Sequence, residues 1–122
     1  MEAIVYTKDD EEYALLKGLL EDRTPAAEVL RAENDGHKRY DRSYDIVIVA
    51  LEGAEGMEVV LEYSKRFPDA NIIWVTSDRY FAGTAMRSRV CDFVERPYEP
   101  GRIGDSITKA VNNCPDRYEF QA

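Results

Sequence analysis

Apolar residues in this chain come in short runs separated by stretches with a helical period. Ala3-Ile4-Val5-Tyr6 predicts a first strand. Residues 9–21 then set Tyr13, Leu15, Leu16, Leu19 and Leu20 at helical spacing, with Asp9, Asp10, Glu11 and Glu12 crowded at the start, where a helix dipole favours acids. Arg23-Thr24-Pro25 ends that helix. Residues 27–31 read as a second, weaker strand and the polar residues 34–43 as a short helix. Asp45-Ile46-Val47-Ile48-Val49-Ala50 is apolar on both faces, as a central strand of a covered parallel sheet should be. Residues 53–56 form a glycine-bounded turn, and 57–67 an amphipathic helix through Val59, Val60, Leu61 and Tyr63 that closes before Pro68. A fourth strand at 71–76, a short helix at 78–88 capped by Asp78, and a fifth strand at 90–94 follow. After Pro97, residues 99–111 carry Ile103, Ile107, Ala110 and Val111 on one helical face. Residues 113–122 have little period and are expected to be a loose tail or the start of a linker.

Strand and helix alternate throughout residues 1–112, which predicts one α/β domain with a parallel sheet between two helical layers. Five strands in so short a chain fit a flavodoxin-like, doubly wound sheet in the order 2-1-3-4-5. Sites on such sheets form beyond the carboxyl ends of the strands. That singles out Thr7-Lys8-Asp9, Ala50-Leu51-Glu52, Thr76-Ser77 and Glu95-Arg96-Pro97.

Charge removes several classes of function. A net charge of −8 and a pI near 4.7 leave no basic face for nucleic acid and disfavour an anionic membrane surface. No apolar run approaches the roughly 20 residues of a membrane span, and the start lacks a secretory signal pattern. Cys91 and Cys114 have no metal-type spacing, so two reduced thiols in a cytoplasmic protein are expected, with Cys91 buried in a strand and Cys114 exposed in the tail. His37, in a polar stretch, reads as a solvated surface residue.

At the strand ends the sequence resembles the receiver domains of bacterial two-component response regulators, over residues 2–111. Asp45-Ile46-Val47-Ile48-Val49 is similar to their third strand, Ile72-Ile73-Trp74-Val75-Thr76-Ser77 to the fourth, and Asp92-Phe93-Val94-Glu95-Arg96-Pro97 to the fifth with its closing Lys-Pro. The resemblance implies a phosphoacceptor aspartate after strand 3, an acid pair after strand 1 holding Mg²⁺, and a Thr or Ser and a Lys contacting the phosphoryl oxygens. Metal and lysine would neutralise the charge of the transferring group.

This chain departs from that pattern. Ala50 stands at the phosphoacceptor position, and a methyl group is no nucleophile. Thr7 and Lys8 fall in the register of the acid pair, although a shifted loop would bring Asp9 and Asp10 there instead. Arg96 replaces the lysine, Arg89 replaces a glycine, the turn after strand 3 is short, and only Thr76 is retained. With Lys8 and Arg96 close by, the pocket is expected to have lost its Mg²⁺ site, leaving no metal and no catalytic residue. Glu52 either pairs with one of these cations or points into solvent; solvent is the expectation, because exposed pairs contribute little. Thr76, Ser77, Lys8 and Arg96 also supply the parts of an anion pocket, so a bound anion is compatible with them. The plainer reading has Thr76 capping the next turn and both cations solvated.

Tyr80, Phe81, Phe93 and Tyr98 lie on or near the face made by the fourth helix, fifth strand and fifth helix. The resemblance makes Phe93 the rotamer-switch aromatic and this face a place for dimers or targets. Ordinary packing is the expectation for Phe93; Tyr80-Phe81 is the interface candidate. Pro97 is compatible with a cis peptide bond. The chain is thus expected to be a non-enzymatic, receiver-like domain of phosphorelay signalling, working by contact with other signalling proteins, an output domain or a second copy. One alternative is a conventional receiver phosphorylated on a neighbouring acid such as Glu52, with Asp9 and Asp10 on Mg²⁺. The other is an unrelated flavodoxin-like binding domain, for which no glycine-rich phosphate loop follows strand 1.

Overall fold

The computed structural model describes residues 1–32 and 42–119. Five strands, β1 (Glu2–Tyr6), β2 (Glu28–Arg31), β3 (Ile46–Val49), β4 (Ile72–Thr76) and β5 (Asp92–Glu95), pair in parallel in the order β2-β1-β3-β4-β5. The helices are α1 (Asp10–Arg23), α2 (Gly53–Arg66), α3 (Ala82–Arg87) and α4 (Pro100–Val111). This is the predicted three-layer sheet and strand order. Most of the helix expected at 34–43 lies outside the described residues.

Alternation along the strands divides the core in two. Val47, Val49, Ile72 and Trp74 face α2 and α3, meeting Val59, Val60, Tyr63 and Ala85. Ile46, Ile48, Ile73 and Val75 face α1 and α4, meeting Leu16, Leu20, Ile103 and Ile107. Every residue of β3 and β4 is buried, which is why those runs are apolar up to the closing Thr76.

Local chemistry redraws two elements. The expected turn at 53–56 is the first turn of α2. Gly53, at φ +64°, lets the chain enter the helix directly after Glu52, a conformation a Cβ would oppose. Residues 78–88 split into a 3₁₀ turn (Arg79–Phe81) and α3, with the Asp78 carboxylate accepting from the Tyr80 amide at 2.9 Å. The Arg96–Pro97 peptide bond is cis.

The cysteines correct the sequence reading. Cys91 and Cys114 form a disulfide, with Cα atoms 5.5 Å apart, and both are buried. Separation by 23 residues hid the pairing, because α4 runs back along the sheet and returns its end to the start of β5. The expected loose tail is also packed over residues 113–119. The Tyr118 amide donates to the Val90 carbonyl at 3.0 Å, and the Tyr118 ring lies 5.5 Å from that of Phe93.

No described helix is long and apolar enough to cross a membrane.

Candidate functional site: an ion-paired crown at the carboxyl end of the sheet

Thr7, Lys8, Asp9, Ala50, Glu52, Ser77 and Arg96, all singled out from sequence, line one open depression of about 410 Å³ at the carboxyl end of the sheet. Thr76 lies fully buried beneath it. The depression also includes two acids the sequence reading did not single out as site residues, Glu12 and Glu55.

Arg96 organises this end. Directly after β5, its guanidinium donates to both Glu12 carboxylate oxygens at 2.6 and 3.2 Å, to the Ala50 carbonyl at 2.9 Å, and to Glu52 Oε1. The Arg96 side chain is 21% exposed and that of Glu12 only 10%. Thr7 Oγ1 at 2.8 Å and the Tyr98 hydroxyl at 2.9 Å also donate to Glu12. Burial works against the charge on Arg96, but the bonds and field of Glu12 and Glu52 outweigh it and raise its pKa. Burial, then the bond to Glu12, raises the pKa of Tyr98, keeping its phenol protonated.

Glu52 corrects the expectation of a solvated side chain. The tight entry into α2 turns its carboxylate toward the end of β4. There it accepts from the Ser77 amide and hydroxyl at 3.1 Å and from Thr76 Oγ1 at 3.3 Å. Burial penalises its charge, but the Ser77 bonds and Arg96 outweigh that and hold its carboxyl below the usual carboxylate range. The cations are paired as well: Lys8 Nζ, though exposed, lies 2.8 Å from Glu55 Oε2. The donors that suggested an anion pocket therefore converge on the chain's own carboxylates.

The remaining acids are also committed. Asp9 caps α1, accepting from the Glu11 and Glu12 amides at 2.9 and 3.2 Å. Asp10 pairs with Arg31 at 2.7 Å on the β2 side. Among the described residues no three His, Cys, Asp or Glu side chains are grouped to hold a metal ion. An Mg²⁺ ion needs several free hard oxygens, whereas here the Arg96 guanidinium lies between the carboxylates of Glu12 and Glu52.

The aromatic candidates separate. Tyr80 is 85% exposed, whereas Phe81 stacks on Trp74 at 5.4 Å. Phe93 packs edge-on to Trp74 at 5.6 Å, as ordinary packing requires. Tyr98 is drawn into the crown by Glu12. Glu12 was findable: it precedes Leu16 and Leu20 by one and two helical turns, so an acid sits on the buried stripe of α1.

No family model matches the sequence, and no curated protein does. Solved structures do. The response regulatory domain of the Klebsiella pneumoniae protein mrkE superposes with a TM-score of 0.75 at 16% identity, covering 92% of this chain and 96% of that one. A CheY-like response regulator receiver domain protein from Methanospirillum hungatei gives 0.73 at 14% identity, covering 92% and 94%. A response regulator receiver domain protein from Clostridium thermocellum gives 0.70 at 24% identity, covering 91% and 94%. The chain therefore has the fold of the response regulator receiver domains.

Proposed function

We propose that this chain is a receiver-like signalling domain that works without aspartyl phosphorylation, as a binding module in a two-component or phosphorelay pathway. One observation carries the proposal: the guanidinium of Arg96 fills the crown beside Ala50, bound to Glu12, Glu52 and the Ala50 carbonyl. A phosphoryl acceptor there would need a free carboxylate and a metal. Glu52 instead takes the Thr76, Ser77 and Arg96 donors, which are those an incoming oxyanion would use. Its side chain is half-exposed and accepts from all three, so it is also the residue on which the competing reading depends.

Partners would meet the face of α3, β5 and α4, where Tyr80 offers a large exposed aromatic. An output domain, another signalling protein or a second copy fits that role. The deciding measurement is intact mass after incubation with a small-molecule phosphodonor and Mg²⁺. The expected spectrum shows no added phosphoryl group. Stoichiometric addition, abolished by Glu52→Gln, would overturn the proposal in favour of a conventional receiver using Glu52.

A further inference from the structure

We propose that the Cys91–Cys114 disulfide is a redox clasp that holds residues 113–119 across the amino end of the edge strand β5. The disulfide lies in the core between the sheet and α4, while Tyr118, four residues beyond Cys114, rests on Phe93 in the opposite core layer. The segment therefore crosses from one side of the sheet to the other at its open edge, the place where an uncovered strand pairs with foreign chains.

Apart from the disulfide and the Tyr118 ring, hydrogen bonds attach this segment, beginning with the Asn113 amide to the Ala110 carbonyl and Asn71 Nδ2 to Asn113 Oδ1. The Cys114 amide donates to Lys109, the Tyr118 amide to Val90, and Arg117 to the carbonyls of Asp69, Ala70 and Arg89 and to the Asn71 side chain. Asn113 (φ 60°) is left-handed as the ordinary close of α4, its amide donating to Ala110 and that of Cys114 to Lys109, but the next residue, Cys114 (φ 46°), is left-handed too, a region its side chain resists. The disulfide adds a covalent hold at Cys114 to the two hydrogen bonds of the helix close; on this proposal, without it Cys114 relaxes and the residues beyond it lift. The central strands β1, β3 and β4 contain no part of the clasp.

The reaction balances with a dithiol reductant. One of its thiolates attacks a cystine sulfur, the S–S bond breaks, and its second thiolate resolves the mixed disulfide. Two electrons and two protons pass to Cys91 and Cys114, and the reductant leaves as a disulfide. Cys91 and Cys114 are 0% and 4% exposed, so attack waits for the segment to open locally.

The test is hydrogen exchange on the full chain, air-oxidised and then reduced with excess dithiothreitol. Reduction should speed exchange at the Tyr118 and Cys114 amides by about tenfold or more while β3 amides keep their protection. Unchanged protection of the tail would overturn the clasp. So would loss of protection in β3 together with the tail, because the disulfide would then be a staple of the whole fold. Free thiols in the air-oxidised protein would also overturn it. The Cys91→Ala/Cys114→Ala variant should reproduce the reduced pattern without reductant. If that variant does not fold, the dependence of reduction rate on dilute urea decides: independence supports local opening, and a rise with the slope of global unfolding overturns it.

Discussion

Arg96 shows how much one side chain carries here. Removing it leaves the carboxylate of Glu12, 10% exposed, without its cation. Stripping one partner from a fully buried pair costs about 3–5 kcal/mol, and the partial exposure here brings the expected loss for Arg96→Ala down to about 1–3 kcal/mol. Urea unfolding measures it. Arg96→Lys should recover little, because a single ammonium cannot reach Glu12, Glu52 and the Ala50 carbonyl together as a planar fork does. Lys8→Ala breaks only an exposed pair and should stay within about 0.5 kcal/mol of the parent. Ala50→Asp alone should not restore Mg²⁺-dependent phosphorylation, read by intact mass, since the new carboxylate would meet Arg96 before any metal. Ala50 and Arg96 are plain in the sequence at two strand ends. Their consequence is not, because the partners of Arg96 lie 84 and 44 residues away and only the tertiary fold brings them in.

Elements were easiest to read where apolar period and burial agree. The strands β3 and β4 stood out because every residue in them is buried. Helix α2 was entered late in the sequence reading because its first turn holds two glycines, which signal a turn locally. Tertiary packing explains one of them. A Cβ on Gly56 would collide with the Leu51 carbonyl, backbone that cannot move aside cheaply. Gly56→Ala should therefore cost about 1–3 kcal/mol through overpacking. Gly18, exposed on α1, has nothing within 4 Å of its Cβ direction. Gly18→Ala should stabilise by about 0.5–1 kcal/mol through helix propensity. Thermal melts of the two variants, shifting in opposite directions, check both. The disulfide was illegible for a related reason: its partners are set by where α4 ends against β5, which no spacing rule encodes.

For the whole molecule, charge sets the pH range of stability. Burial opposes the charge on Glu52 and Asp92, but Ser77 and Arg96 outweigh it for the first and Arg102 and Ser106 for the second, so both titrate below the ordinary carboxylate values of 4.5 and 3.8 in the folded state. Their stabilisation is present above those values and is lost as pH falls through the lower folded ones. At the alkaline end, burial raises Tyr63 to about 12 and also raises Tyr98, so the unfolded chain ionises first and stability falls as pH climbs past the ordinary tyrosine value of 10. Urea midpoints across pH should be flat from roughly 6 to 9 and drop on both sides. A drop confined to one side would show that one of these sets does not contribute.

The bridge from Glu12 through Arg96 to Glu52 ties the first turn of α1 to the loops after β3 and β5. On the reading proposed above, elements bound in this way share a single setting and the crown stores no memory of past chemistry. A partner reading that end of the molecule would respond to dose: how many copies are present, and how tightly each is held. Any setting that varies within one copy would have to be written at the opposite end of the sheet, where the chain turns back on itself at Asn113.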